Sequence, residues 1–440
     1  MKSKLTIVPV LFVLFTMAGI RDANALPRFA LRGGDVDCRG CHLDPTGGRL
    51  RTEGGDNFAM NRLAMWPSKS TFSGNIGDGI RIGVDLRSQF LYFSDHATFP
   101  SNYAALGHTR ADTTSRVSGG LEMALPIYLS AQISDAVQAF VKVNPIAGPA
   151  SEASSSWEGY VLVHYVHSSG EFLESGSAVG DAYVKIGAFY PSFGVRFDDH
   201  TVYTRGGNAS FSGFGPAGLI WQPNYKDEGF ELGFELFDHA FITADVLNGN
   251  ESDMSYLFKS DPWGPYAVAL RGVINTGPLM DHQLSAEVGA SMYLHTVEHF
   301  PNFPNGDSLA TTRIVALHGG LHLGAFSLLG EWDMGNFIYQ VLRGGYADTV
   351  HTIALEGAYD ITKGLTGILR FDNFYGGNVG MAATNIKSRF MVGFQWFPVR
   401  FLELRPEFRV ARGTAPSPKD PTQSEDHTET TALLQTHIFF

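Results

Sequence analysis

Residues 117–133 read VSGGLEMALPIYLSAQI and alternate between two kinds of side chain along their whole length. The odd positions carry apolar residues or glycine, whereas the polar side chains, among them Glu122 and Gln132, fall on even positions. Because successive side chains of a strand point to opposite sides, this period of two predicts a strand with one apolar and one polar face. Ser134-Asp135 then predicts a tight turn into a second strand over 136–143.

The same alternation recurs to the end of the chain and predicts sixteen strands. They span residues 80–92, 117–133, 136–143, 157–166, 181–190, 228–237, 240–246, 266–274, 283–296, 312–324, 325–334, 349–359, 365–374, 389–396, 401–410 and 430–440. The pattern offers no helices to cover so many apolar faces, and a closed barrel with lipid outside and water inside satisfies both faces and every strand edge. The predicted fold is therefore all-β, a transmembrane antiparallel β-barrel of about 16 strands, with 18 as the alternative because bacterial barrels have even strand numbers.

Both ends of the chain fit export to the outer membrane. Two lysines precede an apolar run over 5–20, and Ala23-Asn24-Ala25 is a small-x-small cleavage site, which together predict a signal peptide over 1–25. A transmembrane anchor is the alternative, but the run is shorter than the about 20 residues that a spanning helix needs. The final Phe440 resembles the insertion signal of bacterial outer-membrane barrels. The predicted location is the cell outer membrane of a Gram-negative bacterium.

A short motif precedes the first predicted strand: Asp37-Cys38-Arg39-Gly40-Cys41-His42. Cys-x-x-Cys-His is the attachment signature of a c-type haem. Two thiols three positions apart can add to the two vinyl groups of one porphyrin, and the adjacent imidazole then serves as axial ligand. The motif predicts one covalent haem c, with Cys38 and Cys41 as thioethers and His42 as the proximal iron ligand.

Two other kinds of site also use a Cys-x-x-Cys pair, namely a redox disulfide and half of a zinc site. Zinc needs four ligands, and the chain contains only these 2 cysteines. A thiol oxidoreductase would place the pair at the start of a helix in a βαβ unit, which the surrounding sequence does not suggest. We therefore divide the chain into a signal peptide (1–25), a monohaem cytochrome segment and candidate plug (26–75), and an outer-membrane β-barrel (76–440).

The second axial ligand of such a haem is open. A short helix is predicted over 57–66, and it contains Met60 and Met65, either of which is a candidate because a methionine ligand raises a cytochrome's potential. In the alternative interpretation both methionines only pack against the porphyrin or the barrel wall. His96 and His108 are further candidates.

The charge of the chain limits its partners. The formal net charge is −12, which argues against nucleic acid and favours cations and basic proteins. The apolar strand faces predict contact with outer-membrane lipid.

One stretch, residues 187–207, interrupts the regular pattern. Pro191 and Gly194 break the strand ladder, so a loop is expected to follow. Phe-x-Pro-x-Phe-Gly over 189–194 resembles a region of the phosphate-selective porins, in which such a loop can line the passage. Its charged residues are then candidates for a constriction or for holding the haem segment: Arg196, Asp198, Asp199, His200 and Arg205. An external loop with solvated charges is the alternative.

Charged residues on the strands share one parity and are predicted to line the lumen, because they are costly against lipid. They are Arg81, Asp85, Arg87, Glu122, Glu231, Glu235, Glu287, Glu331, Asp333, Glu356, Arg370, Asp372, Glu403, Arg405, Glu407 and Arg409. His318 and His322 have the same inward parity. Arg405 and Arg409 are expected to form ion pairs with acidic neighbours, in a channel that is otherwise simply polar and hydrated.

The lengths of the connections predict the orientation of the barrel. Short turns should face the periplasm, and they lie at 134–135, 238–239, 324–325 and 398–400. Long polar segments should be external, and they lie at 94–112, 297–311, 337–348, 375–387 and 412–429.

In architecture the whole chain resembles the fused monohaem cytochrome and porin proteins implicated in Fe(II) oxidation at the bacterial outer membrane; at the level of residues the resemblance is confined to Cys38, Cys41 and His42. It implies electron transfer between an extracellular donor or acceptor and a periplasmic electron carrier, with Fe(II) as one donor. Whether the protein is an Fe(II) oxidase or a carrier stays open. Two alternatives also stay open: a diffusion porin for small solutes with a haem-bearing plug, and a haem enzyme such as a peroxidase.

Overall fold

The computed structural model describes most of the chain between Pro27 and the carboxyl terminus. The described residues are 27–33, 38, 41–47, 50–66, 74–77, 79–98, 113–145, 157–165, 179–195, 202–204, 227–236, 239–249, 267–280, 283–297, 310–336, 347–378, 384–416 and 424–440. The predicted signal peptide lies outside them, as does His108.

Eighteen strand segments occur within the described residues. They are β1 Asn75–Gly77, β2 Ile80–Thr98, β3 Thr113–Ala124, β4 Ile127–Ser134, β5 Val137–Val143, β6 Trp157–Tyr165, β7 Val179–Phe189, β8 Asp227–Leu236, β9 Ala240–Leu247, β10 Ala267–Asn275, β11 Leu284–Val297, β12 Ala310–Leu323, β13 Phe326–Asn336, β14 Ala347–Thr362, β15 Leu365–Asn378, β16 Thr384–Val399, β17 Leu402–Pro416 and β18 Ser424–Phe439.

These segments form one closed antiparallel barrel of sixteen strands. Each strand from β4 to β17 pairs with the next along the chain, and β18 closes the ring by pairing with β2. β3 and β4 are one barrel strand, because Val84 pairs with Ile127 and Arg87 with Ala124 in a single register. Pro126 separates them, since proline has no N–H to give to the ladder. β1 is a three-residue addition to the start of β2. The prediction of a 16-strand barrel is confirmed.

The strands are longer than their hydrophobic pattern predicted at the end that carries the long loops. β18 begins at Ser424 rather than 430, and β17 continues to Pro416, within the segment predicted as the loop 412–429. The residues Ser424–Thr431 read SEDHTETT and are polar on both faces. Alternation therefore gives no signal there, although the backbone pairing continues.

The two faces of the barrel differ as predicted. Large apolar side chains point outward and are exposed on every side of the ring, for example Phe90, Ile133, Val288, Leu369 and Phe390. Buried charged and polar side chains line the interior, among them Glu231, Glu331, Glu356, Arg370, His318 and His322. Short turns at 135–136, 324–325 and 363–364 join the strands at one end, which we call the short-turn end. In barrels of this kind that end faces the periplasm.

Charge introduced into the outer face should destabilise the barrel according to depth. Phe390 is 66% exposed near the middle of β16, and Val399 is the last residue of the same strand. We expect Phe390→Arg to lower the free energy of unfolding by about 2–4 kcal/mol, against about 0–1 kcal/mol for the control Val399→Arg. Urea unfolding in lipid vesicles, followed by tryptophan fluorescence, measures both. Equal losses would contradict a lipid-facing position for Phe390.

Two short helices precede the barrel, α1 Pro27–Gly33 and α2 Glu53–Phe58, and a π-helical turn Ala59–Leu63 continues α2. Thr52 caps α2, and its Oγ1 accepts the N–H of Gly55 at 3.1 Å. The helix predicted over 57–66 therefore begins four residues earlier. Within the described part of the chain, none of the helices has the length and hydrophobicity required to cross a membrane.

Candidate functional site

The residues of 27–66 that the structure describes lie inside the barrel and contact opposite walls. On one side Asp44 bonds to Tyr160 on β6 and Lys185 on β7. On the other, Arg28 bonds to Glu356 on β14 at 3.1 Å. β6 and β14 are eight positions apart around a ring of sixteen, so this N-terminal segment reaches across the lumen.

The segment also contacts the short-turn end of the barrel. The N–H groups of Met65 and Trp66 donate to the carbonyls of Phe397 and Pro398 at 2.8 and 3.0 Å. Five side chains form an apolar cluster between the segment and the wall: Phe29, Ala59, Leu63, Phe397 and Phe439. These contacts fix the part of the segment at the short-turn end, which we call its foot, to strands β16 and β18.

Cys38, Cys41 and His42 project from one tight turn within this segment. The carbonyl oxygen of Cys38 accepts the N–H groups of Cys41 at 3.2 Å and His42 at 2.8 Å. The two thiols are not joined in a disulfide, and all three side chains are half-buried. These hydrogen bonds bring the backbones of the two cysteines and of the histidine together in one turn.

The loop that follows folds back onto the first cysteine. The carbonyl oxygen of Pro45 accepts the N–H of Cys38 at 3.1 Å. Gly47 has a φ of +88°, and a Cβ at this position would lie 2.8 Å from the Cys38 Sγ. A glycine is therefore required here both for the backbone conformation and for the space beside the sulfur.

Asp44 holds this loop against the wall. Its Oδ2 accepts the Tyr160 hydroxyl at 2.9 Å, and its Oδ1 accepts Lys185 Nζ at 3.1 Å and the Thr46 N–H at 2.9 Å. Lys185 also bonds to Glu231 on β8 at 2.7 Å. Asp44, Lys185 and Glu231 are all completely buried, so we call them the buried charge cluster.

The helix α2 packs directly on the cysteine turn. The N–H of Thr52 donates to the carbonyl oxygen of Cys41 at 3.0 Å. A Cβ on Gly55 would lie 2.2 Å from that same oxygen. Only glycine allows the helix to approach the turn this closely.

The methionine candidates lie at the foot of the segment. Met60 Sδ is 3.8 Å from Arg400 Nη1 in the turn between β16 and β17. The backbone of Met65 pairs with Phe397, beside Gly364. Either methionine as second ligand stays a prediction. His96 is exposed on the outer face and its Nδ1 lies 3.1 Å from Thr114 Oγ1, which removes it as a ligand for a group inside the barrel.

Burial shifts the ionisation of two charged residues near the turn. Burial raises the pKa of Asp56, although Arg51, Arg400 and Arg81 each favour its charged form. Burial lowers the pKa of Arg51, which lies over the ring of Phe439 at 4.3 Å. The region between the cysteine turn and the short-turn end therefore holds these two charges in a poorly solvated environment.

The stretch after β7 forms an internal loop, of which residues 190–195 and 202–204 are described. Its backbone N–H groups donate to inward side chains of three strands: Ser192 to Asp245 at 2.8 Å, Gly194 to Ser291 at 2.9 Å and Val195 to Glu331 at 2.6 Å. These loop residues are buried inside the barrel, so the prediction that the loop lines the interior is confirmed for them. The alternative of an external surface loop is wrong for them. The candidates Arg196, Asp198, Asp199, His200 and Arg205 lie outside the described residues.

The internal loop also contacts the N-terminal segment and the far wall. Leu31 packs with Val195 and Val202. Tyr203 lies against Arg389, whose Cζ is 4.4 Å from the ring centre, and burial raises the pKa of the Tyr203 hydroxyl. The loop and the segment therefore pack together within the lumen.

Inward charges on β14–β18 and β2 form ion pairs, as was predicted for Arg405 and Arg409. Glu407 lies between these two arginines. The other pairs are Glu356–Arg370, Asp372–Arg389, Lys387–Glu429, Asp85–Arg87 and Asp95–His427.

Three solved structures illustrate what the fold is similar to. OprB of Pseudomonas putida is 12% identical with a TM-score of 0.45, covering 81% of this chain and 94% of that chain. The outer membrane channel DcaP of Acinetobacter baumannii is 12% identical with a TM-score of 0.44, covering 86% and 100%. OpdQ of Pseudomonas aeruginosa is 10% identical with a TM-score of 0.39, covering 82% and 98%. No protein-family model and no curated protein matches the sequence.

The chain is a porin-like outer-membrane β-barrel. Its closed strand pairing, apolar outer surface and polar interior are those of a barrel that crosses the outer membrane. The lipid of the outer membrane is therefore one of its partners.

Sequence reasoning found the cysteine turn but not its partners on the wall. Asp44, Lys185 and Tyr160 were not among the candidate site residues. The available signal was parity, because Lys185 and Tyr183 share the inward face of β7.

Proposed function

We propose that the barrel carries one covalent c-type haem on Cys38, Cys41 and His42 and transfers electrons across the outer membrane. The observation that carries the proposal is the single turn that presents both thiols and the imidazole inside the lumen. Bound there, the haem supplies one-electron redox chemistry.

The residues around the turn support this assignment. Gly47 keeps the space beside the Cys38 sulfur clear of a side chain. The chain has no other cysteines with which to complete a zinc site. Asp44, Gly55 and Thr52 hold the turn in place from both sides.

The contacts of the N-terminal segment lie at different depths of the barrel. The N-terminal segment reaches from the middle of the wall, at Lys185, to the short-turn end, at Phe397. We propose a periplasmic electron carrier as partner at that end and an extracellular donor or acceptor at the other. Fe(II) is our candidate donor, because a chain with a net charge of −12 attracts cations.

The test is covalent haem in purified outer membranes. The wild-type chain, expressed with the cytochrome c maturation machinery, should give a haem-staining band of about its own mass and a c-type pyridine haemochrome spectrum. The variant Cys38→Ala/Cys41→Ala should insert as a barrel and give neither signal. A wild-type barrel that is folded and colourless would refute the proposal.

A diffusion porin with a haem-bearing plug is the second candidate, and the internal loop inside the lumen favours it. It requires an open path past the N-terminal segment. Planar-bilayer recordings of the wild-type chain distinguish the two: electron transfer needs no ion conductance, whereas a diffusion porin requires stable open channels.

A further inference from the structure

The buried charge cluster joins the N-terminal segment to the barrel wall, and each of its charged groups has a partner within the cluster. Lys185 Nζ lies 3.1 Å from Asp44 Oδ1 and 2.7 Å from Glu231 Oε1, and all three side chains are at most 1% exposed. The ring centres of Tyr160 and Phe189 lie 5.3 and 5.2 Å from the same ammonium. Two carboxylates and one ammonium give the cluster a formal charge of −1.

Anchoring alone does not account for this choice of residues. Removing ions from water is costly, and well-packed apolar side chains usually hold two elements together at least as well. Here the charges are fixed by many bonds, since Asp44 also accepts the hydroxyls of Tyr160 and Thr46, and Glu231 accepts the Tyr183 hydroxyl at 2.8 Å. The cluster is a rigid arrangement of charge in a place from which water is excluded.

Its position is next to the proposed iron ligand. Asp44 follows His42 by two residues, so their Cα atoms are at most about 7.6 Å apart. The bond from the Cys38 N–H to the Pro45 carbonyl keeps the intervening loop compact. Buried charges act over longer distances than solvated ones, because screening by water and salt is weak.

We propose that Asp44, Lys185 and Glu231 set the reduction potential of the metal centre ligated by His42. This rests on the proposed function. Ferric iron carries one more positive charge than ferrous iron, so each carboxylate favours the ferric form and lowers the potential. The Lys185 ammonium favours the ferrous form and raises it. The three residues are positioning residues that act on the iron through their charge.

Opposite shifts in midpoint potential test this assignment. Asp44→Asn keeps the shape of the side chain and should raise the potential. Lys185→Met should lower it, and the double variant, which restores the charge of −1, should return close to the wild-type value. Redox potentiometry of the purified barrels, followed in the haem absorption bands, measures all three.

A merely structural role predicts a different pattern. Loosening the turn would admit water in every variant, which favours ferric iron and lowers the potential each time. Shifts of the same sign in Asp44→Asn and Lys185→Met, or no shift in either, would overturn the proposal. Lys142→Met is the matched control, because it removes a buried lysine that pairs with Glu158 of the wall at 3.6 Å; it should move the potential less than Lys185→Met.

A replacement variant and a prior measurement of haem content allow the potentials to be interpreted. If Lys185→Met does not fold, Glu231→Gln replaces it, and both Glu231→Gln and Asp44→Asn should raise the potential, with the larger rise at Asp44. The pyridine haemochrome spectrum of each barrel is recorded first. A wild-type barrel without haem refutes the proposed function, whereas haem-loaded barrels with unmoved potentials refute only this inference.

Discussion

Glu356→Ala is expected to lower the free energy of unfolding of the barrel by about 3–5 kcal/mol, because it leaves two buried arginines without their shared carboxylate. Glu356 Oε1 lies 3.1 Å from Arg28 Nη1, and Glu356 Oε2 lies 2.9 Å from Arg370 Nη2. All three side chains are buried. One deletion thus breaks a contact within the wall and a contact between the wall and the N-terminal segment.

Arg28→Met is the matched control for this prediction. It removes the contribution of the N-terminal segment but keeps the Glu356–Arg370 pair, so we expect a smaller loss of about 1.5–3 kcal/mol, that of one hydrogen bond to a charged group. Urea titration in detergent micelles, followed by the fluorescence of the 6 tryptophans, gives both values. A loss for Arg28→Met that equals or exceeds the loss for Glu356→Ala would contradict the shared-carboxylate account.

The barrel was predictable because lipid and water impose opposite demands on neighbouring residues. Each membrane-crossing stretch, such as 117–133, shows that contrast directly in its sequence. Where the strands leave the bilayer the contrast disappears, and the polar start of β18 at residues 424–429 was therefore predicted as loop. The break in the strand at Pro126 was not predicted for the opposite reason. The apolar alternation continues through Pro126, although the strand ladder is interrupted there.

Some features of the candidate site depend on the local sequence, and others depend on contacts between residues far apart in the chain. The cysteine turn is a local pattern and was visible in six residues. The start of α2 was predicted four residues too late, because Gly54 and Gly55 are poor helix formers, whereas Gly55 is needed for the close approach to the Cys41 carbonyl. Lys185 lies 141 positions from Asp44, and parity indicates only that it points inward. Which inward residue meets Asp44 depends on where the segment lies within the closed ring.

The position of the internal loop also depends on contacts between residues far apart in the chain, and removing these contacts should have a large effect. Its sequence is compatible with a loop that lines the lumen and with an external loop. The position of the loop depends on hydrogen-bond acceptors that lie on distant strands. Asp245, Ser291 and Glu331 each take one backbone N–H from the loop. We expect Asp245→Ala/Ser291→Ala/Glu331→Ala to detach the loop from the wall.

The size of this effect follows from the three lost bonds. A hydrogen bond to a charged acceptor contributes about 1.5–3 kcal/mol and a neutral one about 0.5–1.5 kcal/mol. Together they favour the attached loop by at least about 3.5 kcal/mol, which is more than a hundredfold in population at about 1.4 kcal/mol per factor of ten. Phe193 and Tyr203 are chymotrypsin sites within the described part of the loop, and both are buried. Cleavage after these two residues, identified by mass spectrometry, should therefore be at least a hundred times faster in the triple variant than in the wild type.

Two controls separate loss of these acceptors from general loosening of the wall. Glu235→Ala removes an inward carboxylate of β8 that is half-buried, and it should leave the cleavage rate unchanged. Asp245→Asn/Glu331→Gln keeps an amide oxygen at each position, so an acceptor for the Ser192 and Val195 N–H groups remains and cleavage should be intermediate. A triple variant as resistant to chymotrypsin at Phe193 and Tyr203 as the wild type would mean that the loop is held by its packing on Leu31 and Arg389, and that the three wall acceptors contribute little.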